Sequence, residues 1–579
     1  MTLRPSAPGE RLAGHALVEA LIAQGVDTVF GVPGESYLAV LDGLHEHRER
    51  IRFIACRHEG GAAFMAEAAG KLTGRPGVCL VTRAPGATNA SIGLHTAFQD
   101  STPMILLIGQ VASDQRDREA FQEVDYRQMF GPGTLGMAKW VAEVQDADRL
   151  PEYIARAFHT AQQGRPGPVV LALPEDMLTT FTAAPVLPHV TPAVAWPSPH
   201  DLMALQARLE NAERPLLLVG GGGWTPQASE ALHHFARTWH LPVACVFRRQ
   251  DLFDNRDALY AGDVGIGINP ALAQRVKEAD LILAVGPRLG EMTTGGYELL
   301  KPPRPHQQLV HVHAGAEELG RVYAADQVIH ASMSVAALAL QTLRPDHSFV
   351  PPWTEWTSAA HADYQRNQQG TPVQPMDMTV VIQLLNRLLP PDTIFTNGAG
   401  NYSGWLHRFH RYPALHQGGR TQLAPTSGAM GYGFPAAVAA SLLQKDRWVV
   451  NIAGDGDFLM TGQEMATAMA HGARRLICLV VDNGSYGTIR MHQEREYPGR
   501  TSGSDLHNPD FAALARAYGW AGLTADHTEA VEPALREALR TQQPTLLHLK
   551  LPVDVSTSRT TLTRIRETAL ERQAQGRGQ

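Results

Sequence analysis

Two short stretches toward the C-terminal end carry residues that can hold a small hard cation. Ile452-Ala453-Gly454-Asp455-Gly456-Asp457-Phe458 sets carboxylates between glycines, and Val481-Asp482-Asn483-Gly484-Ser485-Tyr486-Gly487 adds an amide oxygen and a hydroxyl. A carboxylate and an amide oxygen suit Mg²⁺, leaving positions for water, a main-chain carbonyl and two diphosphate oxygens. Gly454 and Gly456 let the backbone come close to phosphates. The elements that must position these groups are legible around them. Residues 447–453 form an apolar, β-branched run ending in glycine, so a strand delivers Asp455 to a loop. Met465, Ala468 and Met469 share one helical face within residues 462–471, and residues 476–481 form a second buried strand that ends at Asn483. In a strand-helix-strand unit both strands are parallel, which brings Asp455 and Asn483 to one carboxyl edge, where ligands of open parallel sheets bind. Either fragment alone reads as a turn; the pair, each member behind an apolar strand, points to a magnesium-held diphosphate.

Taken together, the two stretches resemble the fingerprint of thiamine diphosphate-dependent decarboxylases and carboligases. In that resemblance Asp455, Asn483 and Ser485 would hold the metal, with Gly454, Gly456 and Asp457 beside the diphosphate. The family usually has Asn-Asn where this chain has Asp482-Asn483, but the ligand position is the second and is kept. The family also needs an acid, because the thiazolium C2 must lose a proton and a carboxyl hydrogen-bonded to the aminopyrimidine favours the tautomer that accepts it. Arg57-His58-Glu59 follows strand-like residues 51–55, opens a small-residue helix, and continues through residues 77–82 to Pro85-Gly86-Ala87-Thr88-Asn89. On its own Glu59 is a helix-start glutamate favoured by the dipole. By resemblance it is the cofactor-activating acid, partly buried so that its pKa rises toward neutrality. Pro33 and Gly34 of Gly31-Val32-Pro33-Gly34, and Gly428 of Ser427-Gly428-Ala429-Met430-Gly431, are expected beside the cofactor. Met430, otherwise core filling, matches the apolar wedge that bends the cofactor into a V.

Other residues would choose the reaction. Residues 118–125 resemble the acetolactate synthase loop whose Phe and Gln, here Phe121 and Gln122, face the substrate; Lys139 also has a counterpart there. The plain alternatives are a core aromatic and a helix-surface amide. Three departures stand out: His492 where synthases read the second keto acid with tryptophan, Arg83 where they have small residues, and Glu35 after Pro33-Gly34. Arg83 is suited to bidentate pairing with a substrate carboxylate and His492 to proton transfer or hydrogen bonding, with a structural role as the alternative for each. The resemblance implies a 2-keto acid decarboxylating carboligase using thiamine diphosphate and Mg²⁺. A simple 2-keto acid decarboxylase or C–C lyase is the alternative; a flavin-dependent keto-acid oxidase and a non-catalytic paralogue are weaker ones.

The whole chain fits an enzyme of this build. Its 579 residues exceed one core and suit three domains. Hydrophobic content of 44% and a net charge of −7 describe a soluble globular protein with no electrostatic case for nucleic acid or membrane. No apolar run reaches the roughly 18 residues of a spanning helix, and residues 1–11 lack a signal core. Cys56, Cys79, Cys245 and Cys478 are scattered and read as core residues in a reducing cytoplasm. Proline-rich stretches at 180–199 and 344–375 divide the chain into three α/β, doubly wound parallel-sheet domains. These are a pyrimidine-binding domain (1–180), a middle Rossmann-like domain (195–345) and a diphosphate- and Mg-binding domain (375–555), followed by a C-terminal tail (556–579). Gly220-Gly221-Gly222-Gly223 could cradle a phosphate in the middle domain. The acidic residues flavin members carry after Arg288 and in the strand at 309–312 are missing, so an empty or nucleotide-free domain is expected ahead of FAD. The family pattern further implies a homo-oligomer, a C₂ dimer or a dimer of dimers, whose site is shared between two subunits.

Overall fold

The computed structural model describes residues 9–131 and 136–576 of the chain, which divides into two compact units, Met1–Val194 and Ala195–Gln579. The first unit is built on strands β1 (Thr28–Gly31), β2 (Arg52–Ala55), β3 (Gly77–Val81), β4 (Met104–Gln110), β5 (Trp140–Glu143) and β6 (Pro168–Pro174), all parallel, in spatial order β2-β1-β3-β4-β6-β5. β3, β4 and β6 are buried at every position. That is why they read as unbroken apolar runs and not as an alternating pattern: helices cover both faces. Helices Ala13–Ala23 and Leu150–Gln162 pack on one face, Glu59–Thr73 and Ala84–Asp100 on the other.

The last two helices meet through small residues. A Cβ on Gly93 would lie 2.5 Å from the Ala63 Cβ, so only glycine permits this approach. Helix Glu59–Thr73 begins at His58, whose Nδ1 accepts from the Gly60 amide, and stops at Gly74, whose φ of 72° is left-handed. Between these helices lies a fully buried ion cluster. The Lys71 ammonium meets Glu67 at 3.1 Å and also Asp100, and the Thr102 hydroxyl donates to Glu67 at 2.7 Å.

The second unit contains two further parallel sheets. One consists of β7 (Pro215–Val219), β8 (Val243–Val246), β9 (Tyr260–Val264), β10 (Leu281–Val285), β11 (Gln308–His313) and β12 (Gln327–His330), in order β9-β8-β7-β10-β11-β12. The other consists of β13 (Ile394–Asn397), β14 (Gln422–Leu423), β15 (Val449–Gly454), β16 (Leu476–Asp482), β17 (Ala521–Ala525) and β18 (Thr545–Lys550), in order β14-β13-β15-β16-β18-β17. The first and last sheets of the chain thus share one topology. The sheets of the second unit are tied by Asp251, whose carboxylate accepts from the Arg420 guanidinium at 2.7 Å and from the Thr421 and Gln422 amides.

Two segments read as linker and tail are more ordered than expected. Thr354–Asn367, inside the stretch at 344–375, is a helix. Its Thr357, Ala360 and Tyr364 turn one face onto the β7–β12 domain, with the Tyr364 ring edge-on to Tyr260. The charged and polar residues between them hide that spacing in the sequence. Beyond 556, Leu562–Gly576 is a helix packed on Gly487–Glu496, where the Arg566 Nε donates to the buried Glu494 at 2.7 Å. Among the described residues no helix is long and apolar enough to cross a membrane, and all four cysteines are buried free thiols.

Candidate functional site

In the C-terminal sheet the chain runs from β13 outward to β14, then crosses to β15 on the other side. The strand order reverses between β13 and β15, and a crevice opens at the carboxyl ends there. A cavity of about 250 Å³ occupies this place, lined by Ala399, Gly400 and Asn401 after β13, Gly454–Asp457 after β15, and Asn483 and Ser485 after β16. Gly428 and Met430 form another part of its wall, and Tyr402, Trp405, Tyr486, Thr488, Ile489, Val555 and Ser556 also line it.

The cavity walls fit a metal-bound diphosphate. Asp455 and Asn483 bring a carboxylate and an amide oxygen to adjacent strand ends, a donor set for Mg²⁺. A Cβ on Gly456 would stand 2.5 Å from the Tyr486 ring and one on Gly454 2.9 Å from the Tyr402 ring, so the loop has room for backbone only. Ser485 is buried, with its amide donating to Asp455 Oδ2 at 3.3 Å and its hydroxyl to the Ser504 carbonyl at 2.9 Å. Its remaining lone pairs and main-chain carbonyl are what it would offer a cation. Asp457 plays a different part. Its carboxylate accepts from Tyr402 Oη at 2.7 Å and from the Gly431 amide at 2.7 Å, so it holds the Met430 loop against the β15 turn. Burial pushes the Asp457 carboxyl up to about 6, against the pull of these donors.

The residue that departs from the family pattern has its own partners. Asn508 Nδ2 donates to Asp455 Oδ2 and to Asp482 Oδ1, each at 2.8 Å, and Asp482 Oδ2 lies 2.8 Å from Nε2 of His548 on the neighbouring strand β18. Burial, with the charge of Asp482 behind it, raises the Asp455 pKa, while for Asp482 the hydrogen bonds from His548 and Asn508 outweigh burial and lower it. Asn508 and His548 were not singled out from the sequence. The one signal available was Asp482 itself, a carboxylate where an amide is usual and therefore in want of a donor.

The first unit repeats the arrangement. Its order reverses between β1 and β3, and the predicted residues collect at the carboxyl ends of these and adjacent strands. Pro33, Gly34 and Glu35 follow β1, Glu59 follows β2, Arg83 follows β3, and Phe121 and Gln122 lie in the loop after β4. Glu59 is half-buried at the head of its helix and accepts from Asn89 Nδ2 at 2.9 Å. A Cβ on Gly86 would lie 3.6 Å from Glu59 Oε1. Gly34 is close against Thr82, whose hydroxyl is 3.0 Å from that of Ser36.

Phe121 is 73% exposed, so it fills no core in this unit, and Gln122 sits in a loop with φ of 66°, not on a helix. The Gln122 carbonyl accepts from the Ala84 amide, hooking this loop to the residue after Arg83. Arg83 is paired within the chain, to Glu35 and to Glu175. Two residues fall away from these edges. Lys139 precedes β5, at the amino edge of the sheet opposite Glu59, and donates to the Gln163 carbonyl at 2.6 Å. His492 is exposed one helical turn beyond Thr488 and does not line the cavity, which reaches only to Ile489 on that helix. Lys139 stands out through its counterpart in the synthases and His492 through the tryptophan it replaces, and neither resemblance carries the strand direction or helical advance that decides which way the residue faces. In the β7–β12 domain Arg288 stands 3.6 Å from buried Glu318, which also receives Arg321 at 3.0 Å.

Comparison with known proteins matches the chain domain by domain. The thiamine pyrophosphate enzyme N-terminal TPP binding domain matches residues 11–129, the central domain residues 202–343, and the C-terminal TPP binding domain residues 398–549. The chain is 34% identical to the acetolactate synthase large subunit of Parasynechococcus marenigrum, covering 94% of this chain and 88% of that one. It is 32% identical to the acetolactate synthase isozyme 2 large subunit of Escherichia coli, covering 92% and 94%, and 31% identical to the large subunit of Corynebacterium glutamicum, covering 92% and 86%. With the three domains in order and relatives of this kind along nearly its whole length, the chain belongs to the thiamine diphosphate-dependent enzymes, among those resembling the acetolactate synthase large subunit.

Proposed function

We propose that the protein is a thiamine diphosphate- and Mg²⁺-dependent carboligase that decarboxylates a 2-keto acid and transfers the remaining acyl unit to an acceptor carbonyl. The observation that carries this reading is the cavity at the β13/β15 reversal, where Asp455, Asn483 and Met430 meet. The relatives' acetolactate synthase names support the carboligase over the simple decarboxylase. When bound, thiamine diphosphate supplies a nucleophilic carbon that stores the electrons released with CO₂. The protein's own contributions are binding and proton control. Asp455 and Asn483, with Ser485, would hold Mg²⁺ and through it the diphosphate; Gly454 and Gly456 admit the phosphates; Met430 would set the bend. Glu59 would exchange a proton with the aminopyrimidine from the head of its helix, and Phe121 and Gln122 would face the substrate. The site is completed by Glu59 of a second copy, in a cytoplasmic homo-oligomer. FAD has no part in the scheme. Incubation of the purified enzyme with a panel of 2-keto acids, followed by assay of ligated hydroxyketone acid, aldehyde and peroxide, tests it. Acetolactate from pyruvate is the expected product; aldehyde alone would replace the carboligase with a decarboxylase.

A further inference from the structure

Arg83 is 7% exposed and stands beside the reversal point of the first sheet, where open parallel sheets take their ligands. Three features set it apart from an ordinary surface arginine. Its Nη1 lies 3.1 Å from Glu35 Oε1 on one side and its Nη2 2.5 Å from Glu175 Oε2 on the other. Its Nε is buried without a hydrogen-bond partner. The two carboxylates differ in exposure: the Glu35 side chain is 70% exposed and that of Glu175 39%. The cluster therefore holds one guanidinium against two carboxylates, a net negative edge, with Glu35 the member more open to solvent. It lies between the strand end carrying Glu59 and the loop carrying Phe121 and Gln122, whose backbone is hydrogen-bonded to Ala84.

We propose that Glu35 and Arg83 are specificity-determining residues that select 2-keto acids with uncharged tails and reject those bearing a second carboxylate. The proposal rests on the keto-acid reading above. A dicarboxylic substrate meets Glu35 first and is repelled by it, and it finds the guanidinium already occupied. A neutral tail meets neither difficulty. Arg83 also braces the turn after β1 against the start of helix Glu175–Leu178, so its removal alone would confuse bracing with selection. Glu35 is the cleaner probe, because taking its carboxylate away frees one edge of Arg83 while the Glu175 pair keeps the guanidinium in place.

The test compares kcat/KM for pyruvate and for 2-oxoglutarate in the wild-type holoenzyme, in Glu35→Ala, and in Glu35→Ala combined with Arg83→Met. Wild type should favour pyruvate. Glu35→Ala should raise the 2-oxoglutarate to pyruvate ratio by about tenfold, mainly through KM, the factor carried by one charge-assisted hydrogen bond. The double variant should lose that gain. A ratio that stays within about twofold of wild type in Glu35→Ala, or a gain that survives loss of Arg83, would overturn the assignment. Failure of the wild type to turn over any 2-keto acid would instead bring down the functional reading, and this inference with it.

Discussion

At the scale of single residues, the chemistry divides between groups that would meet the cofactor and groups that hold them. Glu59 belongs to the first kind. Glu59→Gln keeps size and helix position, so thiamine diphosphate and Mg²⁺ should bind with nearly unchanged affinity, read from the fluorescence of Trp405 in the cavity wall. Turnover should fall by roughly 10²–10⁴-fold, the usual weight of a positioned acid or base. Undiminished turnover would take Glu59 out of its role. That Asp455 and Asn483 line one cavity was legible in the sequence because each follows an apolar strand run, whereas Met430 stood out only through the resemblance of its segment. Their supports were not legible. Asn508 and His548 reach Asp482 from a distant loop and from another strand, and the two carboxylates flanking Arg83 come from the ends of different strands. Hydrogen bonds across strand ends leave no local spacing to read.

Among the elements, the strands were the most legible and the polar-faced helices the least. Fully buried strands such as β4 and β6 announce themselves as apolar runs, whereas helix Thr354–Asn367 hides one apolar face among charged residues. Burial of charge between elements makes two further expectations. Lys71 holds Glu67 and Asp100 together between helices Glu59–Thr73 and Ala84–Asp100. Lys71→Met would leave two buried carboxylates facing each other and should destabilise the protein by about 3–5 kcal/mol, seen as a lower denaturant midpoint. His410 is the opposite case. It is buried against Phe395 and Tyr412 at ring-centre distances of 4.1 and 4.3 Å, and neither ring nitrogen has a hydrogen-bond partner. Burial pushes both His410 and the neighbouring His407 down to about 3. The unfolded chain thus binds more protons than the folded one below about pH 6.5. The stability is present above that pH and drains away as the pH falls toward 3. His410→Phe should raise the thermal midpoint at pH 7, since it removes an unsatisfied buried polar ring, and should flatten the acid side of the profile. An unchanged acid slope in differential scanning calorimetry would show that His410 does not titrate on unfolding.

For the whole molecule, the plan of three parallel α/β sheets was legible because strand-helix alternation survives along the chain, whereas the proline-rich stretch at 344–375 hid a helix of the middle domain. The equivalence of the outer two sheets was not legible, because strand order is a property of space and not of chain. If each site takes Glu59 from one copy and Asp455 from another, two inactive variants can repair each other. Mixing Glu59→Gln with Asp455→Ala under conditions that exchange subunits should restore about a quarter of wild-type activity, since half the dimers are mixed and each of these has one intact site. No recovery despite proven exchange would place both residues in one chain's site. The buried thiols offer a separate handle. Burial raises the pKa of Cys79 and Cys245 and pushes Cys478 up to about 12, so the native protein presents little thiolate to a labelling reagent. Cys79 sits in the first sheet, Cys245 in the second and Cys478 in the third. The chain therefore carries a silent clock in each sheet, and the order in which a thiol reagent marks them during mild denaturation would time the opening of each domain without any label being engineered in.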